Sequence, residues 1–122
     1  AACFRMAGRL GMHEGICNHF SFVVPGRDDL FLVNPYGWAF SEITASSLLK
    51  VTAEGEILYR PDLPYGLHPA GFTIHSAIYR ARADVMAAMH THTIAGMAVS
   101  ARRRAPRGRR RVAPARVRPP HW

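Results

Sequence analysis

Apolar residues recur along this chain with two spacings, and the switch between them marks the elements. Over residues 1–10, Ala2, Phe4, Met6 and Leu10 are available to pack on one short helix, and Gly11 stops it. "HFSFVV" (19–24) and "DLFLV" (29–33) are β-rich runs separated by "PGRD", which predicts a hairpin. Pro35 and Gly37 make "NPYGWAF" (34–40) a loop, and Thr44 then offers an N-cap for a short helix ending near Lys50. A second hairpin turns at Glu54-Gly55, and the prolines and glycines of 60–71 predict a loop. In "FTIHSAIYRARADV", Thr73 is the expected cap. Ile74, Ala77, Ile78 and Ala81 form an apolar stripe at helical spacing, with His75, Tyr79 and Arg82 on a neighbouring face. Asp84 ends that helix, "VMAAMHTH" (85–92) follows as a strand, and Thr93 caps "IAGMAVSA". Hairpins followed by helix–strand–helix predict a layered α/β domain with a mixed sheet.

Charge divides the chain at one point. The formal net charge is +8 over 122 residues, yet nine arginines lie in 102–122 and all eight acidic residues lie in 1–101. The body is close to neutral, and its high pI belongs to the tail. That tail is nearly all Arg, Ala, Pro, Gly and Val, so it has too little apolar surface to offset its ordering entropy and is expected to be disordered. Its composition matches a GC-rich coding sequence read out of frame, a reading that ranks ahead of a functional arginine arm. The missing initiator Met likewise reads as a fragment or an incomplete gene. Cys3 and Cys17 have no CxxC spacing, which points to a reduced cytoplasmic compartment. No run approaches the ~18 apolar residues of a spanning helix, so no membrane partner is expected.

Chemistry concentrates in "HTH". On a strand, His90 and His92 share a face with Cα atoms about 6.6–7 Å apart, close enough for two imidazoles to converge on one ion. They sit at the carboxyl end of the strand beside a helix start, where layered α/β folds place their sites. Two ligands fall short of the three or more usual for zinc. His19, His68, His75 and Glu14 are further candidates that spacing alone does not rank.

"NHFS" (18–21), "FLVNPYGWAFSEITASSLLKV" (31–51), "AGFTIHSAIYRARADVMAAMHTHT" (70–93) and "AGMAVSA" (95–101) together resemble the class II aldolase/adducin N-terminal domain, in its adducin-like branch. The resemblance implies a three-layer αβα fold around a mostly antiparallel sheet, incomplete at the C-terminal side. It makes 1–101 a partial domain of this type and 102–122 a separate Arg/Pro-rich tail. It also implies a cytoplasmic homo-oligomer, a tetramer in intact relatives.

In catalytic members of that family a divalent metal, usually Zn2+, is held by an H-x-H pair and a later histidine, and polarises the carbonyl of a ketose phosphate. His90 and His92 match the pair, and the third ligand would lie beyond Ala101. The family's acid/base glutamate falls on Gly71, which cannot move a proton, so no catalytic residue is assigned. His19, Ser21 and Gly37 fall on the phosphate-binding loops, and His75 lies beneath the metal ligands. Pro69-Ala70 replaces paired serines. Structural roles are expected for Tyr36 and Trp38 (loop anchors), for Arg80, Arg82 and Asp84 (a solvated helix end) and for His13 and His68 (surface histidines).

The resulting expectation is a domain with a remnant metal site, its cation weakly held or absent, that is not a competent aldolase as the chain stands. One alternative is an active metal-dependent lyase on a small carbonyl or sugar phosphate, once a complete protein restores the third ligand. The other is an adducin-like oligomerisation or actin-binding module. Nucleic-acid binding through the tail ranks below these, and would show strong salt dependence and little sequence choice. Truncation further predicts marginal stability, with an exposed sheet edge and an apolar patch.

Overall fold

A computed structural model describes residues 1–102 apart from residues 63 and 65. The expected disorder of the tail lies outside the described residues, except for Arg102. The elements run α1 (Ala2–Arg9), β1 (His19–Val24), β2 (Arg27–Val33), β3 (Leu49–Thr52), β4 (Ile57–Tyr59), α2 (Pro69–Ala81), β5 (Ala87–His90) and α3 (Ile94–Ser100). The five strands form one sheet in the order β4-β3-β2-β1-β5, and every neighbouring pair is antiparallel. β5, drawn from the far end of the described chain, returns to pair with β1 and places His90 directly opposite His19.

Alternation along the strands separates two cores. On one face Phe20 packs with Phe4 and Ala7 of α1 and with Phe40 and Ile43 from the long loop. On the other, Phe31, Val33, Leu49 and Val51 lie beneath Phe72 and Tyr79 of α2. Helices therefore cover both faces, as a layered αβα domain requires. Cover on the α1 side is partial: Phe22, Leu32, Ala87 and Met89 line an apolar concavity of about 280 Å³ beside α1. At the β4 edge of the sheet Ile57, Leu58 and Tyr59 are all exposed.

Both hairpins form where expected, at Pro25-Gly26 and around Gly55. Thr93 caps α3 by accepting from the Gly96 N–H at 3.1 Å. Gly11 ends α1: with φ +65° it donates to the Gly8 carbonyl while Met12 donates to that of Ala7, a Schellman closure.

The sheet is wholly antiparallel rather than mixed, because β5 runs back along β1 in the opposite sense, and four further expectations fail, each for a physical reason. α1 buries Phe4 and Ala7, three apart on one face, whereas Met6 and Leu10 project outward at 64% and 63% exposure and Ala2 is exposed. No helix follows Thr44. The Thr44 and Ser47 backbone N–H groups do bond each other's hydroxyls in a capping-box pattern, but Leu49 and Lys50 are taken into β3. α2 starts at Pro69 rather than Thr73, with His68 Nδ1 accepting from the Gly71 N–H as the cap, while Thr73 bonds back to the Pro69 carbonyl. Pro69 at the first helical position was the signal for this start.

The fourth failure matters most for the site. Ile74 and Ile78 stand outward at 45% and 36% exposure, and α2 instead presents Phe72, His75, Ser76 and Tyr79 to the sheet. Two aromatic rings carry more apolar area than two isoleucines, and the polar atoms of His75 and Tyr79 find partners on β1. Arg82 leaves that face, caps the helix end and pairs with Asp84 in solvent.

Asn34 ties the start of β1 to the end of β2. Its Oδ1 accepts from the Phe20 N–H at 3.0 Å, and its Nδ2 donates to the Asn18 carbonyl. Replacing Asn34 with Ala leaves buried backbone groups unpaired, with an expected loss of about 1–3 kcal/mol. Urea denaturation measures it; a loss under a few tenths of a kcal/mol would show that the clamp does not hold this segment.

Candidate functional site

Five histidines from three segments meet at one end of the β1–β5 pair. His19 opens β1, His90 closes β5, His92 follows it, His75 lies on the inner face of α2 and His68 caps that helix. The His19 ring stacks on His90 at 4.6 Å between centroids, meets His75 edge-on at 4.7 Å and lies 5.2 Å from His68. The cross-strand register of β1 and β5 makes the stack, since His19 and His90 are directly paired and share a face.

His90 and His92 converge although β5 ends between them. Their Nε2 atoms are 2.8 Å apart and the rings are nearly perpendicular. Glu14 fixes the second ring: Nδ1 of His92 donates to its carboxylate at 2.7 Å, which leaves Nε2 as the lone-pair nitrogen. His90 then donates to His92 through Nε2. A single ion held by both Nε2 atoms would displace that proton to Nδ1 of His90. The pair thus fits as two ligands backed by a carboxylate. Among the described residues, no set of three or more His, Cys, Asp or Glu side chains is arranged to hold a metal.

Position 71 is closed. A Cβ built on Gly71 would stand 2.7 Å from Cγ of His19 and 2.9 Å from its Cδ2, separations that real Cβ atoms do not tolerate. His19 occupies the space into which a side chain at 71 would enter, so the absence of a carboxylate on the helix and the presence of an imidazole on β1 are one steric fact.

Behind His19 the polar contacts continue inward. His19 Nδ1 is 3.1 Å from His75 Nε2, His75 Nδ1 is 2.6 Å from Ser21 Oγ, and Ser21 Oγ is 2.6 Å from the Tyr79 hydroxyl. Ser21, placed at the anion position by resemblance, has its hydroxyl engaged by these two neighbours. Gly37 sits in the loop whose Tyr36 packs edge-on against His68 at 4.7 Å. His68, expected as a surface residue, is thus part of the cluster. Sequence reading missed the role of Tyr79, which a position four residues after His75 on the same helix face would have suggested.

His19 and His75 are 2% and 1% exposed. Burial first, and then the neighbouring imidazoles, lowers His19 to about 3; burial and then His90 lowers His75 to about 4. His90 is lowered as well, by burial, His92 and His68. The Tyr79 phenol is raised by burial. His19, His75 and His90 are therefore held toward the neutral form, able to donate and accept hydrogen bonds or to ligate.

In the unfolded chain these histidines titrate near ~6.5. Below that pH the unfolded state takes up protons that the folded state refuses, so stability is fully present above about pH 6.5 and declines as pH falls toward 4. The melting temperature of the metal-free protein is expected to drop between pH 7 and pH 5, with unfolding linked to uptake of up to about two protons. Calorimetry across that range checks this; a melting temperature independent of pH would mean that the two rings are not held neutral.

The Class II Aldolase and Adducin N-terminal domain family matches residues 1–117. A Pseudomonas aeruginosa protein whose name places it provisionally among the class 2 aldolases is 53% identical over 100 residues, which cover 82% of this chain and 38% of that protein. Alpha-adducin of Rattus norvegicus is 46% identical over 101 residues, covering 83% of this chain and 14% of the adducin. The crystal structure of an aldolase II superfamily protein from Pseudomonas syringae superposes with a TM-score of 0.77 at 48% identity, over 83% of this chain and 40% of that one. The chain thus spans about two fifths of the length of its bacterial relatives. With a five-stranded antiparallel sheet between helices and this density of identity, the chain belongs to the class II aldolase and adducin N-terminal domain family.

Proposed function

We propose that His90 and His92, with Glu14 behind His92, form the cation-holding part of a class II aldolase-type site that binds a small carbonyl or sugar-phosphate ligand. The observation that carries this reading is the convergence of the two Nε2 atoms, with a carboxylate setting the tautomer of one of them. Among the relatives of known structure, an L-fuculose 1-phosphate aldolase from Glaciozyma antarctica is 35% identical with a TM-score of 0.76, over 81% of this chain and 40% of that one. A divalent cation such as Zn2+ supplies Lewis acidity, drawing electron density from a carbonyl oxygen. The protein's own contribution is to orient His92 through Glu14, to hold His90 against His19, and to keep His19 and His75 neutral so that they do not repel the ion.

Aldol cleavage needs a group that takes a proton from a substrate hydroxyl, and residue 71 has no side chain to do so. The two-ligand set also needs completion from outside the described residues. On this reading the chain as it stands binds weakly and does not turn over. A second reading, an assembly module like the adducin head, draws support from the outward Met6, Leu10, Ile74 and Ile78, the open Phe22–Met89 face and the adducin relatives. Its partners would be further copies of the chain or a cytoskeletal, actin-associated protein. Two exposed unpaired thiols, Cys3 and Cys17, suit a reducing cytoplasmic setting.

Calorimetric titration with Zn2+ tests the cation reading. Binding is expected in the wild type, with loss of at least tenfold in His90→Ala and His92→Ala and a smaller loss, about tenfold or less, in Glu14→Gln. Equal Zn2+ affinity in all four proteins would remove the chelate. A coupled assay on L-fuculose 1-phosphate with Zn2+ present is expected to show no cleavage; turnover would overturn the non-catalytic assignment.

A further inference from the structure

Tyr79, Ser21, His75 and His19 form one unbroken line of hydrogen bonds. Each neutral imidazole has one N–H and one lone pair and each hydroxyl one hydrogen; the buried Ser21 hydrogen has acceptors among the described residues only inside the line, so an arrangement in which Ser21 accepts from both neighbours is ruled out and two polarities remain. Starting at Tyr79, the phenol donates to Ser21, Ser21 donates to Nδ1 of His75, and Nε2–H of His75 donates to Nδ1 of His19. The proton of His19 then sits on Nε2. In the reverse order every donor becomes an acceptor, and His19 Nε2 is a bare lone pair.

Tyr79 selects the first. A phenol donates more strongly than an alkyl hydroxyl. In the reverse order the phenolic oxygen would accept from Ser21 while its own hydrogen met no acceptor among the described residues. The interior members are sealed, Ser21 at 5% and His75 at 1% exposure, so water does not replace either link. At the other end, His19 Nε2 has no partner among the described residues, yet it is not one of the enclosed unpartnered atoms, which are His13 Nδ1 and Asn18 Oδ1. The ring that carries it lies against those of His90 and His68.

We infer that the Tyr79–Ser21–His75 line fixes His19 as its Nε2–H tautomer, so that His19 donates a hydrogen bond to an oxygen of a bound carbonyl or oxyanion and is not a third ligand to a cation on His90 and His92. Nδ1 of His19 is committed to His75 and Nε2 carries the proton, which leaves no lone pair for a metal. Ser21, His75 and Tyr79 are positioning residues that act through His19. The ligand's location rests on the reading proposed above, but the tautomer does not.

Long-range proton–nitrogen correlation spectra of the full, metal-free chain with 15N-histidine read the tautomers directly. His19 and His75 are both expected to carry the proton on Nε2. Ser21→Ala removes the donor to His75, and the His19 tautomer ratio should fall by about tenfold, the worth of one hydrogen bond, with Ser21→Thr restoring it. Tyr79→Phe should move the ratio in the same direction and serves where Ser21→Ala does not fold. On adding Zn2+, the Nε2 resonances of His90 and His92 should shift while Nε2–H of His19 persists. A proton on Nδ1 of His19 in the wild type, or loss of its Nε2–H to Zn2+, would overturn the inference. If Zn2+ shifts neither His90 nor His92, the cation reading fails, and the tautomer assignment is judged on the metal-free spectra alone.

Discussion

At Gly71 the backbone of α2 comes so close to β1 that a methyl group there would stand 2.7 Å from the imidazole of His19, and most of the site follows from that contact. Because the helix carries no side chain at that point, His19 can lie beneath it and reach His75 with Nδ1. Because His19 is paired with His90 across the sheet, its ring becomes the stacking surface for the last residue of β5. The helix, the first strand and the last strand are thus joined through one neutral side chain. Packed interiors tolerate little added volume, so this joint admits few alternatives.

The same contact bears on the family's chemistry. In the resemblance drawn from the sequence, the family's acid/base glutamate falls at position 71 and one of its phosphate-binding loops at His19. In this chain the helix position is glycine and the strand position is His19. Geometry makes the two changes a unit, since a side chain at 71 and an imidazole at 19 claim one volume. The site consequently holds neutral nitrogen donors and acceptors where an acid would stand. That set suits binding an oxygen-rich ligand or a cation better than abstracting a proton from carbon-bound hydroxyls.

Much of the architecture was legible in the sequence. β-rich runs on either side of "PGRD" gave β1 and β2, the Pro25-Gly26 and Gly55 turns gave both hairpins, and Thr93 gave the start of α3. The failures arose where tertiary partners outweighed local pattern. Periodicity ranked the Ile74–Ile78 stripe as the inner face of α2, but the sheet offered aromatic packing on Phe31 and polar partners in His19 and Ser21, and the helix turned toward those. Thr44 and Ser47 made the cap of a helix that the sheet then claimed. At the site, the spacing of His90 and His92 was readable. Their meeting with Glu14, His19 and His68 was not, because it depends on which residue of β1 lies opposite the end of β5.

A thermodynamic double-mutant cycle on Gly71→Ala and His19→Ala tests the shared volume most directly. Gly71→Ala in the wild type is expected to destabilise the protein by about 1–3 kcal/mol through overpacking against His19, and to cost little or nothing once His19 is alanine. A coupling of 1 kcal/mol or more between the two positions agrees with the account. Additive effects would contradict it, since the helix and the imidazole would then not compete for the same space.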